Sequence, residues 1–168
     1  MTFELRPLTA EQGEAMAGWS YPGPWSVYDA TGPIDPAEGF WVVVDGAGDV
    51  TGYACFGEEA RVPGLAEAPG VLDVGVGMRP DLTGQGLGRE FATAVLDHGR
   101  EVSGISRLRA VVQDWNARSR RLLTGLGFQE SGEHHVGALR YVVYQRGQPA
   151  PDRDQPTANR AGRNDVTM

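Results

Sequence analysis

The spacing of apolar and polar positions changes several times along this chain, and each change marks an element. Phe3 to Leu8 alternates, the period-two pattern of a half-buried strand. Thr9, with Glu11 and Gln12 behind it, reads as the cap and first turn of a short helix from Ala10 to about Gly18. Residues 19–39 hold Trp19, Tyr21, Pro22, Pro24, Trp25 and Tyr28, too many prolines for a regular element. Phe40 to Val44 is a strand, Asp45-Gly46-Ala47-Gly48 a hairpin turn and Val50 to Phe56 the returning strand. Glu58 to Gly70 is a Pro- and Gly-containing excursion, and an apolar strand follows over about Val71 to Met78. Leu87, Phe91, Ala94, Val95, His98 and Val102 then recur at spacings of three and four, one face of a helix from Gly86 to about Val102. A strand over 107–113, a helix over 117–126 and strands near 128–133 and 136–146 complete the pattern. This order implies an α/β fold in the broad sense, a mixed sheet with helices on both faces, in one domain over residues 1–146. From Gly147 to Met168 little remains to bury, and that tail is expected to be disordered.

Bulk properties narrow the classes. A chain of 168 residues with 40% hydrophobic content can bury a real core. A net charge of −7 argues against a nucleic-acid partner, which usually meets a basic face. It fits a surface that attracts a cationic amine, although ordinary solubility explains it equally well. Cys55 is the single cysteine, so no intramolecular disulfide is possible and a reducing compartment is the default. Thr2 to Arg6 is a strand pattern rather than a signal peptide, and no apolar run reaches membrane-spanning length. The expectation is a cytoplasmic protein with no membrane partner.

The candidate chemistry begins where the strand Val71–Met78 meets Arg79-Pro80-Asp81-Leu82-Thr83-Gly84-Gln85-Gly86-Leu87-Gly88-Arg89. Strand, proline, a loop with three glycines and then a helix put bare backbone N–H groups at a helix N-terminus, where the dipole favours an anion. The loop reads as a phosphate cradle. A P-loop needs Lys and Ser or Thr after its last glycine, whereas Gly88 is followed by Arg89 and Glu90. A Rossmann fingerprint needs a further Gly or Ala where this chain has Arg89 or Phe91, and such a loop lies near the start of its domain.

The stretch resembles motif A of the GCN5-related N-acetyltransferases (GNAT): Met78-Arg79-Pro80 matches the strand end and Gly86-Leu87-Gly88 the G-x-G. Thr83 stands where the family carries Arg or Gln. A second segment, Asn116 to Phe128, is similar to motif B and comes at the family's spacing from motif A. The resemblance covers roughly residues 3–146. It implies a mostly antiparallel sheet whose central strands splay apart, and acetyl-CoA as co-substrate. The loop residues Thr83, Gly84, Gln85, Gly86, Leu87, Gly88 and Arg89 would hold the pyrophosphate. The strand amides of Val76, Gly77 and Met78, with Asn116, would hold the pantetheine arm. Asn116 is also a good helix cap in its own right. Many members carry a tyrosine, where this chain has Leu123, that protonates the departing thiolate. Ser119 or a bound water is the expected substitute.

An amine must lose a proton to attack a thioester. Asp73, an acid in an otherwise apolar strand, is the first candidate base, its plain alternative being a carboxylate bonded to a loop amide. Glu58 and Glu59 are second choices, or simply solvated. Trp25 and Tyr28 are expected on the acceptor side, or packed over one end of the sheet. Among Arg89, Arg118, Arg120 and Arg121 only Arg89 is assigned to the coenzyme. His98 is expected as a satisfied core histidine and Cys55 as a small buried hydrophobe. His134 and His135 lack partners at metal spacing, so no metal is expected. The leading expectation is an acetyl-CoA-dependent N-acetyltransferase, acting as monomer or homodimer on a small-molecule or protein amine. A catalytically impaired acyl-CoA-binding regulatory module and a nucleotide binder stay open.

Overall fold

The structure, a computed structural model, describes residues 1–147. Seven strands form one sheet: β1 (Phe3–Pro7), β2 (Trp41–Asp45), β3 (Val50–Phe56), β4 (Val71–Met78), β5 (Arg107–Gln113), β6 (Gln129–Val136) and β7 (Leu139–Arg146). Their spatial order is β1-β2-β3-β4-β5-β7-β6, and every neighbouring pair is antiparallel except β4 with β5. The mixed α/β sheet expected from the pattern is therefore observed, and it is mostly antiparallel, as the resemblance implies. The disordered tail expected over 147–168 lies, apart from Gly147, outside the described residues.

Three α-helices cover both faces. α1 (Ala10–Met16) starts at Thr9, whose side chain and that of Gln12 cap each other's backbone. Met16, Leu8, Val42 and Val44 make its side of the core, with Trp19, Phe40 and Tyr53 packed against them. α2 (Gly88–Ser103) and α3 (Ala117–Gly125) lie on the opposite face. There Phe91, Val95, Leu96 and Leu126 meet Val43, Leu72, Val74, Leu108, Val142 and Tyr144. Alternation along each strand sends neighbouring residues to the two layers, as Val42, Val43 and Val44 show.

The segment expected to be irregular between α1 and β2 winds into a 3-10 helix at Gly23–Tyr28, helped by Pro24 in its first turn. α2 begins at Gly88 rather than Gly86, because Gly84 and Gly86 hold φ of 76° and 82°, outside helical geometry.

The site is positioned by one irregularity. β5 pairs with β7 from Leu108 to Gln113, all but its first residue. It pairs with β4 only from Val71/Arg107 to Asp73/Arg109. Beyond that rung the two parallel strands part, while β4 stays paired with β3 from Val74 to Met78. The sheet is open along the second half of β4.

Candidate active site

The parting strands open a cleft of about 660 Å³ that passes through the sheet. On the helical side it is walled by Phe91, Ala92, Leu96, Leu122, Leu126 and Phe128, and on the other by Tyr21, Trp25, Tyr53 and Ala60. Val74 to Met78 and Ala110 to Val112 are its two edges. Val76 is 46% exposed in the middle of a seven-stranded sheet, as an open edge requires.

The ladder tells which backbone groups face the gap. The Arg79 N–H donates to the Thr51 carbonyl at 2.8 Å, so Arg79, Gly77 and Gly75 turn their amides toward β3. Val76 and Met78 turn theirs the other way, into the slot that β5 has left. The Met78 carbonyl accepts the Tyr21 hydroxyl at 2.7 Å, which pins the aromatic loop over the slot. Gly77 must be glycine: a Cβ there would run into the Tyr53 ring directly across the ladder.

At one end of the slot the loop Thr83–Leu87 delivers the chain to α2. Leu87 supplies no side-chain cap, leaving the first N–H groups of a 16-residue helix aimed at the cleft mouth. Gly84, Gly86, Gly88 and Arg89 line that mouth together with Thr83, whose hydroxyl donates to the Pro80 carbonyl at 2.8 Å. A Cβ on Gly86 would meet no atom within 4 Å, so its glycine serves the backbone angle. Arg118 and Arg121 reach the same cleft from α3. Among the described residues, no carboxylate lies in ion-pair contact with Arg89, Arg118 or Arg121, whereas Arg120 is held by Glu130 and by the Tyr144 hydroxyl.

The aromatic loop closes the site from above. The Arg118 guanidinium lies 4.6 Å from the Trp25 ring centre, and Trp25 and Tyr28 both pack on Trp115. The Tyr28 oxygen accepts a hydrogen bond from Asn116 Nδ2 at 3.0 Å. Asn116 Oδ1 accepts the Ser119 N–H at 3.1 Å, so this buried residue caps α3 and braces the loop at once. Burial raises the hydroxyl pKa of Tyr21, Tyr28 and Tyr53, and the Asn116 bond works against that rise at Tyr28.

The structure thus brings together Val76, Gly77, Met78, Thr83, Gly84, Gly86, Gly88, Arg89, Asn116, Ser119, Trp25 and Tyr28. Gln85 and Leu87 are not on the cleft wall; the Gln85 amide turns back to donate to the Asp81 carbonyl at 2.5 Å. Asp73 is displaced from the base role expected of it. It is buried outside the cleft, its carboxylate taking two bonds from Arg109, at 2.5 and 3.0 Å, and one from Arg61 at 3.2 Å. Both of its oxygens are occupied by guanidinium donors and it does not line the cleft, so it is out of reach of an amine bound there. Glu58 and Glu59 are exposed and do not line the cleft, although Ala60 of the same turn does. His98 corrects the expectation of a satisfied core residue: its ring meets Trp41 at 4.3 Å and its Nε2 is buried without a partner. Burial lowers its pKa. Cys55 is buried as expected, and burial pushes its thiol up to about 12.

Sequence reasoning missed Tyr21, Tyr53, Arg118 and Arg121 as cleft residues. It sought a tyrosine near Leu123 along the chain, whereas the fold supplies three from the loop and β3. Leu123 itself lines the cleft. A second depression, of about 450 Å³, lies beside Trp115, but its one cation, Arg140, is held by Glu133 and Asp114. No group of three or more His, Cys, Asp or Glu among the described residues could hold a metal, and no helix there is long and apolar enough to cross a membrane.

Comparison with known proteins agrees with this architecture. AAC(6')-Ib in complex with paromomycin and acetyl-CoA superposes with a TM-score of 0.68 at 16% identity, over 94% of this chain and 100% of that one. The putative acetyltransferase YncA of Salmonella typhimurium with its cofactor acetyl-CoA gives 0.60 at 23% identity, over 91% and 99%. In sequence, the L-methionine sulfoximine/L-methionine sulfone acetyltransferase of Pseudomonas aeruginosa is 34% identical over 92 residues, 55% of this chain. The match spans about half the length of that relative, 51%. The family model described as an acetyltransferase (GNAT) domain matches residues 3–129, and the chain belongs to that family.

Proposed function

We propose that this protein transfers an acetyl group from acetyl-CoA to the amino group of a small molecule, by direct attack of the amine on the thioester. The observation that carries this reading is the parting of β4 from β5 next to an uncapped helix N-terminus. One feature offers free strand amides to an amide-bearing arm and a carbonyl, the other an anion site for a pyrophosphate. The co-substrate supplies the activated acyl group. In this reading the loop amides and Arg89 hold its phosphates, Asn116 its arm, and Val76 and Met78 its thioester carbonyl. Trp25 and Tyr28 flank the acceptor, and Ser119 adds a hydroxyl to the wall.

Among the described residues, no carboxylate or imidazole lines the cleft. The three phenols, held protonated by burial, cannot act as bases at neutral pH. The amine therefore loses its proton to water. A wall of aromatic rings without a carboxylate also suits an amine with a compact, uncharged side chain better than a polycation. The Pseudomonas relative acts on L-methionine sulfoximine and sulfone, molecules of that kind. The chain is assigned to a reducing cytoplasm, as its single cysteine, a buried thiol, allows.

The test is a thermal-shift titration with acetyl-CoA, CoA, ATP and NAD, followed by thiol-release assays with L-methionine sulfone and other amines. At a hundred times its dissociation constant a ligand stabilises by about 2.7 kcal/mol, or roughly 5–10 °C here. A shift with acetyl-CoA and CoA alone, with turnover, is expected. A shift without turnover on any amine would leave a binding module, and no shift would refute the assignment. Turnover should also climb with pH through the amine's own pKa; an inflection near pH 6 belonging to the protein would reveal a base in the fold.

A further inference from the structure

We propose that Tyr28 is the proton donor to the departing thiolate, an acid supplied by the loop in place of the helix residue that Leu123 lacks. This rests on the acyltransferase reading above. A thiol with a pKa of about 8.5 leaves unaided only moderately well, and a positioned acid contributes about 10²–10⁴-fold. Three phenols line the cleft. Tyr21 has its proton committed to the Met78 carbonyl. Tyr53 has no hydrogen-bond partner among the described residues to stabilise its phenolate. Tyr28 alone accepts a bond, from Asn116 Nδ2, while its own proton stays uncommitted.

The acceptance is enforced. Asn116 Oδ1 is tied to the Ser119 N–H, so its Nδ2 must face Tyr28. The Tyr28 oxygen thereby sits at the N-terminus of α3, where the helix dipole favours a developing negative charge. Packing of the ring on Trp115, with centroids 6.0 Å apart, restricts its swing. The turn Asp114-Trp115 carries the chain from the end of β5 to Asn116, and Tyr28 lines the same cleft as the strand residues Val76 and Met78. Ser119 lines the same wall, but an aliphatic hydroxyl is a far weaker acid than a phenol.

In the step, the amine nitrogen forms a bond to the acyl carbon and the carbon–sulfur bond breaks, its electron pair going to sulfur. The amide nitrogen loses one proton to water. Tyr28 gives its proton to sulfur, yielding free CoA thiol, and its phenolate recovers a proton from solvent.

Calorimetry with CoA and desulfo-CoA tests the contact without any acceptor. The wild type should bind CoA about three- to tenfold more tightly, and Tyr28→Phe, which keeps the ring on Trp115, should equalise the two. In acetyl transfer to L-methionine sulfone, Tyr28→Phe should lower kcat by about 10²-fold with KM for acetyl-CoA within threefold. It should also abolish a fall of kcat at high pH. Equal binding of the two ligands by the wild type overturns the assignment, as does a larger loss in Ser119→Ala or Tyr53→Phe. Binding of neither ligand removes the acyltransferase reading itself, and this proposal with it.

Discussion

Asp73 and Arg109 face each other in the last rung at which β4 and β5 still pair, one residue before the slot opens. Both are buried, and Arg109 also donates to the Ala66 carbonyl at 2.7 Å, fastening the excursion between β3 and β4 over the same point. The ion pair therefore pins the apex of the splay. Asp73→Asn should leave two guanidiniums without their carboxylate, one of them, Arg109, buried. Loss of one member of such a pair costs about 3–5 kcal/mol. Calorimetry should record a melting point lower by roughly 10 °C. The pH dependence of the surviving activity should stay that of the wild type, and a lost ionisation in that profile would restore Asp73 as a base. The sequence rightly marked an acid in an apolar strand as needing a reason. Its partner Arg109 lies 36 positions away, however, so the reason could not be read from local pattern. The tyrosines escaped for the same cause: Tyr28 meets Asn116 across 88 positions and Tyr21 meets Met78 across 57.

Strand, turn and helix are where the sequence spoke most directly. β3, β4 and β5 begin and end where the apolar pattern placed them, because strand period and turn residues are local properties. The glycine loop before α2 was legible too, since glycine spacing before an amphipathic helix encodes a conformation few other residues adopt. That conformation can be isolated experimentally. At Gly86, φ is 82° and a Cβ would touch nothing, so Gly86→Ala imposes backbone strain alone, about 1–2 kcal/mol. Gly48, in the hairpin turn with φ of 89° and equally open space, offers a matched control. Both variants should lose similar stability in denaturant titrations. Only Gly86→Ala should weaken CoA binding, by about tenfold; equal affinities in the two variants would separate the loop from coenzyme binding. Less legible was the stretch Gly23–Tyr28, whose 3-10 turn depends on tertiary contacts with Trp115 and Asn116 as much as on Pro24.

At the scale of the molecule, a chain of net charge −7 gathers three arginines, Arg89, Arg118 and Arg121, around one cleft mouth, with no carboxylate partner among the described residues. Such a local reversal of sign raises the concentration of an anionic ligand at the mouth, and salt screens it over about 10 Å at 0.1 M. Arg89→Ala should raise the dissociation constant for CoA by about five- to tenfold at low salt. Titrations across ionic strength should give a shallower slope than the wild type, and an unchanged slope would move the phosphate contact to Arg118 or Arg121. Composition showed the sign of the whole molecule but not the opposite sign of this one place, because position on a surface is settled by folding. By itself the sequence determined the elements, their order, the glycine loop and the capping of α3 by Asn116, since these rest on short-range periodicity and local backbone geometry. Only the tertiary structure decided that β4 and β5 part after Asp73, that Asp73 pairs with Arg109 at that point, and that tyrosines from a distant loop share the cleft with Leu123. Those outcomes depend on ion pairs, strand pairing and hydrogen bonds between residues dozens of positions apart, which local pattern does not encode.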